Sequence, residues 1–305
     1  MESLQSLNRR RKAVTNIGAI TKAMEVVAAI KMRKSQETAL DSRPYAFKVL
    51  DLLEKLSRPN IYTKASTIRK TVVVLVTSDR GLIGSFNTQV LRVLENFLST
   101  DEKRGDAEHQ YSYVAVGKKA ERYLMKKGLP LVQKFYGFGD LIELHEINTL
   151  SEFLTKGYEA GNWSRVVTIS MHFRSAMKQE TLVREILPLD SKKIKKMVRK
   201  IVPEYGRFAN ASGGRQAAGE DREVEYIFEP SPKELLENLM PHLMKMELYH
   251  LVLEANASEH AARYVAMKSA SDNAKELSEK LMIQYNKVRQ AAITREIIEI
   301  TYGRA

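Results

Sequence analysis

The sequence has no cysteine. Disulfides, thiolate zinc sites, iron–sulfur clusters and cysteine nucleophiles are excluded with it, and so is thiol-based regulation. Long apolar runs are also missing. The longest β-like run is Val72–Val76, far short of the ~20 residues of a membrane span. Met1 to Leu7 lacks the apolar core of a secretory signal, and the basic cluster Arg9–Lys12 sits inside a helical pattern, unlike a transit segment. Acidic residues are in deficit. Lys plus Arg number 49 against 37 Asp plus Glu, a net charge of +12, which suits an acidic partner: nucleic acid, an anionic surface or an acidic protein.

Motifs for chemistry are absent too. There is no P-loop; the triplet Gly117–Lys118–Lys119 lacks the upstream glycine and the hydroxyl residue. The turn Ser78–Ser85 (SDRGLIGS) follows a strand pattern but carries G-x-x-G, not the dinucleotide fingerprint, so it reads as a structural turn. The histidines 109, 145, 172, 242, 250 and 260 show no metal-ligand spacing. His250 and His260 read as interface or solvent residues on one helix face. No Ser/His/Asp or paired-carboxylate set emerges, so no catalytic site, cofactor or metal is expected.

The few helix breakers divide the chain. Leu4 to Arg43 holds one glycine, Gly18, and no proline; His242 to Tyr302 holds neither; Thr71 to Glu229 holds nearly all the glycines. The outer zones therefore read as long helices and the middle as a mixed domain. In the first zone Val14, Ile17, Ile20, Met24, Val27 and Ile30 form one helical stripe close to heptad spacing. Pro44 bends this helix, and Ala46 to Leu56 resumes it. In the last zone Ser231, Pro232 and Glu234 form a start signal. The stripe that follows includes Leu235, Leu239, Leu243, Met246, Val265, Leu277, Leu281, Val288 and Ala292.

Ser231 to Ile300 as one helix spans about 105 Å, against roughly 80 Å for Leu4 to Leu56. A helix that long protrudes from a compact domain, and only another helix can cover its stripe. The two termini are expected to form an antiparallel coiled coil, part of the longer helix standing alone. Small residues such as Ala28, Ala29, Ala255 and Ala261 make an irregular rod of close approach.

The middle reads as a mostly parallel, doubly wound α/β domain. Strands are expected at Thr71–Thr77, Tyr111–Val116, Arg165–Met171, Leu182–Leu187 and Glu223–Phe228. One helix runs from Lys118 to Lys127. Another opens on a Thr149/Glu152 capping box and ends near Gly161. Asp190–Arg222, a basic cluster followed by small residues, reads as a loop or insertion. The division is 1–58 N-terminal helix, 70–229 α/β domain with the insertion at 190–222, and 231–305 C-terminal helix.

Five segments, in order, carry a resemblance: Ile20–Gln36 (ITKAMEVVAAIKMRKSQ), Thr77–Asn87 (TSDRGLIGSFN), Glu229–Lys233 (EPSPK), Ser258–Asn273 (SEHAARYVAMKSASDN) and Tyr285–Glu299 (YNKVRQAAITREIIE). Together they resemble the gamma subunits of F-type ATP synthases. The resemblance implies an antiparallel coiled coil joined to a Rossmann-like α/β domain that binds no nucleotide. It implies a non-catalytic rotor, set in a ring of three alpha and three beta subunits, resting beside epsilon on the membrane c-ring. The chain would then be a peripheral membrane protein on the cytoplasmic side of a bacterial inner membrane, touching the membrane only through its complex and binding no nucleic acid.

Residue by residue, the resemblance implies alpha/beta contacts at Lys22, Met24, Arg33, Arg263, Arg289, Gln290, Thr294 and Glu296, with Arg289, Gln290 and Thr294 meeting an acidic beta loop. It implies c-ring or epsilon contacts at Tyr226 and Phe228. Three positions depart from the family pattern: Tyr264 replaces a methionine, the segment 190–222 is long, and the tip Gly303–Arg304–Ala305 is short and charged. The competing expectation from charge alone is a basic coiled-coil protein that binds nucleic acid.

Overall fold

A computed structural model describes residues 3–41, 70–103, 110–139, 142–188 and 231–303. The bend at Pro44, the helix Ala46–Leu56, the strand Glu223–Phe228, the insertion 190–222, Tyr226, Phe228 and the last two residues lie outside them. The elements run α1 (Leu4–Asp41), β1 (Lys70–Val76), α2 (Phe86–Lys103), β2 (Gln110–Val116), α3 (Lys118–Lys126), β3 (Leu131–Phe135), α4 (Asn148–Glu159), β4 (Arg165–Phe173), β5 (Gln179–Leu187) and α5 (Pro232–Tyr302). The chain divides into two compact units inside the terminal helices: Met1–Ala29 with Arg263–Ala305, and Ile30–Ala262.

The second unit is built on a five-stranded sheet of order β3-β2-β1-β4-β5. Pairs β1–β2, β1–β4 and β2–β3 are parallel, and β4–β5 is an antiparallel hairpin at one edge. This is the expected mostly parallel, doubly wound order. β1 sits at its centre because Val72 to Val76 can be buried on both faces at once. Val72, Val74 and Val76 pack with Leu150 and Leu154 of α4 and Leu248 and Val252 of α5. Val73 and Leu75, turned the other way, pack with Val90 and Leu94 of α2 and Ala120 and Leu124 of α3. One alternating strand therefore joins two cores.

The strand bounds differ slightly from the expected ones. β5 starts at Gln179, and the short β3 (LVQKF) carries no alternation that marks it in the sequence. The start signal of α5 holds: Ser231 Oγ accepts the Glu234 N–H at 3.2 Å. The Thr149/Glu152 capping box does not form. The residue preceding α4, Ile147, is already helical (φ −76°, ψ −12°) and no side chain caps it. The turns before the helix do that work instead, with Asn148 N–H donating to His145 and Ser151 N–H to Ile147. Glu152 pairs with Lys156 on the exposed face.

The first unit is the antiparallel pairing of α1 and α5. Thr15 and Ser278 hydroxyls meet at 3.2 Å, and a Cβ on Gly18 would lie 3.4 Å from that of Ala274. Arg11 reaches Met282 Sδ at 3.0 Å and lies over the Tyr285 ring, 5.8 Å from its centroid. The covered positions of α1 include Leu4, Leu7, Arg11, Val14, Gly18, Thr21, Glu25 and Ala28, and those of α5 include Met267, Ser271, Ala274, Ser278, Leu281, Tyr285, Val288 and Ala292. Both sets advance by alternating threes and fours, the heptad step.

The seam corrects the expected stripe on α1. Val14 and Met24 are half-buried, as expected, but Ile17, Ile20, Val27 and Ile30 are 54%, 60%, 51% and 63% exposed. The covered line is shifted by about one residue and mixes apolar Leu7, Val14 and Ala28 with Gly18, Thr21 and Glu25. Leu277, expected to be covered on α5, is 39% exposed, whereas Leu281 is buried. The exposed apolar line also explains a second difference. By length and composition α1 could cross a membrane over Leu4–Thr38, at hydropathy 1.4, although its apolar residues never form a continuous run.

Candidate functional surfaces

In a doubly wound sheet, ligands bind beyond the carboxyl ends of the strands, where the order reverses. Here the neighbouring carboxyl ends of β1, β2 and β3 are tied together by the chain itself. Asp79, just after β1, accepts the N–H of Lys118 at the start of α3 (2.9 Å) and that of Gly137 after β3 (2.9 Å). Its carboxylate thus lies where a helix N-terminus would otherwise hold an anion. Thr77 Oγ1 accepts Ala120 N–H and donates to the Val116 carbonyl. Ser78 and Asn87 bind each other. Gly117 has φ +94°, and a Cβ there would sit 2.3 Å from the Thr77 carbonyl oxygen. The Ser78–Ser85 turn is knitted into the sheet ends, as its reading as a structural turn expects.

A charged cluster lies where β4, β5 and α5 pack. Arg184 Nη2 donates to Glu254 Oε2 at 2.6 Å, and His172 Nδ1 stands 2.9 Å from the same oxygen and 2.8 Å from Arg184 Nη2. That nitrogen can donate to Glu254 or accept from Arg184, but not both. Burial opposes ionisation of Glu254, yet Arg184 and His172 outweigh it and hold its pKa at about 2. Glu247, two turns earlier, has a buried Oε1 with no hydrogen-bond partner. Burial pushes its pKa up to about 8 against a weaker pull from Arg184. Residues 172, 184 and 254 are far apart in sequence, and no spacing signals them.

Of the two expectations for His250 and His260, interface or solvent, the solvent one is corrected: they are buried, at 5% and 1% exposure. Among the described residues, no group of three or more His, Asp or Glu is placed to hold a metal ion.

The expected contact residues fall into two groups. Lys22 is exposed on α1 and paired with the buried Glu25 at 3.0 Å; Met24 is half-buried; Arg33, on the α1 stretch in the second unit, is exposed. Arg263 is half-buried on α5. The other four lie together farther along α5: Arg289, Gln290, Thr294 and Glu296 are all exposed, within two helical turns of one another. The Thr294 hydroxyl donates to the Gln290 carbonyl at 2.9 Å, leaving its lone pairs for an outside donor. Antiparallel pairing puts Lys22 opposite residues near Ser271, roughly 27 Å along α5 from Arg289. Lys22 and Met24 therefore do not join the Arg289 group. Sequence reasoning missed the bare stretch that flanks that group: Ile293, Ile297, Ile298 and Ile300 are 48% to 63% exposed.

A family profile described as "ATP synthase" matches residues 3–305. A protein named ATP synthase gamma chain from Roseiflexus sp. (strain RS-1) is 34% identical over 312 residues, covering 100% of this chain and 98% of the relative. Another of that name, from Chloroherpeton thalassium, is 33% identical over 315 residues, covering 99% and 97%. Among solved structures, a chain of the Euglena gracilis mitochondrial ATP synthase (OSCP/F1/c-ring, rotational state 3) superposes with TM-score 0.63 at 16% identity, covering 99% of this chain and 93% of its own. A chain of the Tetrahymena thermophila mitochondrial ATP synthase (central stalk/c-ring) gives 0.55 at 23%, covering 83% and 99%. At these identities the structural likeness is one of fold. The nucleic-acid reading gains no support from these relatives.

Proposed function

The chain belongs to the ATP synthase gamma-chain family, and from that premise we propose that it is the rotor shaft of a membrane-bound ATP synthase, without a catalytic site of its own. It couples ion flow through the membrane c-ring to conformational change at the catalytic beta subunits. It sits in a ring of three alpha and three beta subunits, beside epsilon, on the cytoplasmic side of the bacterial membrane. By the same reading the rod is drawn from 1–58 and 231–305 and 70–229 is the α/β domain, although among the described residues the paired helices are those of Met1–Ala29 with Arg263–Ala305 and the earlier part of α5 packs on the sheet.

The observation that carries this reading is the apolar line that the first unit leaves uncovered on α1. α1 turns Ile17, Ile20, Val26 and Val27 outward and gives its partner helix Arg11, Gly18, Thr21 and Glu25. An exposed apolar line beside a seam of mixed small, polar and apolar side chains suits an apolar partner surface, not bulk water. Its faces are also unequal, so each surrounding subunit meets different chemistry. A ligand or partner shifts an equilibrium only through such differential contacts.

Within this reading Lys22, Met24, Arg33 and Arg263 contact alpha and beta subunits along the shaft. Arg289, Gln290, Thr294 and Glu296 do so near its end, the first three against an acidic beta loop. Tyr226 and Phe228 serve the c-ring and epsilon end. The test is coexpression with the alpha and beta subunits of the same organism. One copy of this chain per three of each, with ATPase activity that depends on it, is the expected result. A chain that never copurifies, and an ATPase indifferent to it, would overturn the assignment.

A further inference from the structure

α3 and β3 together present a surface that nothing in the rotor reading uses. Between Lys118 and Tyr136 the chain carries six Lys or Arg and one acid, Glu121. Lys118, Arg122 and Lys126 follow each other at i, i+4 and i+8 on the exposed side of α3. Like charges at that spacing destabilise a helix by a few tenths of a kcal/mol per pair. Exposed apolar side chains are set among them: Met125 at 65%, Val132 at 46% and Tyr136 at 39%. Lys134 Nζ bonds Glu121 at 2.8 Å, which sets α3 beside β3.

β3 is the edge of the sheet among the described residues, and its central residues, Val132 to Lys134, are exposed. Pro130 and Phe135 carbonyls accept from β2, at Tyr113 and Gly117. The main chain of Lys134, the neighbour of Phe135, therefore faces outward. Its N–H turns to the side-chain Oε1 of the adjacent Gln133 at 3.3 Å, a long local contact that a strand's carbonyl would replace.

We propose that α3 and β3 form a docking surface for an acidic, extended segment of a partner protein, added to the sheet as a strand beside β3. The main-chain edge supplies the hydrogen bonds, the cations of α3 select acidic side chains, and Met125, Val132 and Tyr136 take the apolar residues that alternate with them. The inference does not depend on the rotor reading.

The test uses the full chain and a fluorescein-labelled peptide alternating glutamate with valine. Saturable binding is expected, weakened at least ~10-fold by Arg122→Glu with Lys126→Glu. Lys134→Pro removes the outward N–H and should weaken binding as much, whereas Lys134→Ala keeps the N–H and should leave it nearly unchanged. A peptide with proline at alternate positions tests the same bond without touching the protein, and should fail to bind. Equal binding of the proline peptide, or equal loss in both Lys134 variants, would overturn strand addition. Absence of peptide binding, or capture by phosphatidylglycerol vesicles in its place, would overturn the proposal as a whole.

Discussion

Glu247 and Glu254 stand two turns apart on α5, share the field of Arg184, and are driven in opposite directions. Glu254, at about 2, lies below the ~4.3 of an unfolded glutamate. Its ion pair therefore stabilises the fold above ~4.3 and is lost as pH falls through 2. Glu247, at about 8, lies above that value. Between ~4.3 and 8 the folded chain holds a proton that the unfolded chain has released, so stability falls as pH rises through that window. Glu247→Gln removes this cost. Scanning calorimetry should show a shallower fall of Tm from pH 5 to pH 8 than in wild type, and a higher Tm at pH 8. A variant that tracks wild type across this range would show that Glu247 is not buried uncompensated. At Gly117 the constraint is steric. With φ +94° and the Thr77 carbonyl 2.3 Å from any added Cβ, Gly117→Ala should lower unfolding free energy by at least ~2 kcal/mol in urea titration. The glycine is plain in the sequence, but the carbonyl that makes it necessary belongs to Thr77, just past β1 and forty residues earlier.

At the scale of elements, how far the sequence could be read depended on what each pattern was competing with. β1 was legible because five consecutive β-branched or leucine residues suit a strand buried on both faces. Lys118–Lys126 and the Ser231 cap were legible for similarly local reasons. The seam of α1 was not. Reading the most apolar line as the covered one is sound when a helix packs on its own core, and α1 carries that line on its outer side. What its partner helix receives is Gly18, Thr21, Glu25 and Ala28, whose merit is small size or a local ion pair. Substitution separates the two lines. Ile17→Ser with Ile20→Ser alters side chains already more than half exposed, so the unfolding free energy of the free chain should change by no more than the ~0.5 kcal/mol typical of surface positions, and Tm by little. In the reconstituted complex the same pair should cut ATPase activity several-fold. A clear loss of Tm in the free chain would mean that the outer line is packed after all. Of the contact residues, the Arg289–Glu296 group is named only through the resemblance carried by Tyr285–Glu299; no spacing marks it. The bare isoleucines around it were read only as part of a motif, because exposure is set by where α1 ends and not by anything in α5.

Across the whole molecule the two units are held together by different means. The second has two apolar cores on either side of one sheet, joined through β1. In the first, the fully buried apolar side chains are few: Leu7, Ala28, Met267, Ala274 and Leu281. Apolar burial contributes roughly 25 cal/mol per Å², and two of these five are alanines, so the first unit has little to set against the entropy of ordering two helices. Local opening free energy should follow burial. In the free chain, amides of residues 4–29 and 267–292 should exchange with deuterium at least ~100-fold faster than those of β1, β2 and β4, a difference of about 3 kcal/mol in opening. If the exposed isoleucines are covered by a sleeve of other subunits, the same amides should slow by a comparable factor in the assembled complex, while the strands change little. Slow exchange of the helices in the free chain would show that the polar seam is enough by itself. The outward apolar line would then no longer argue for a sleeve.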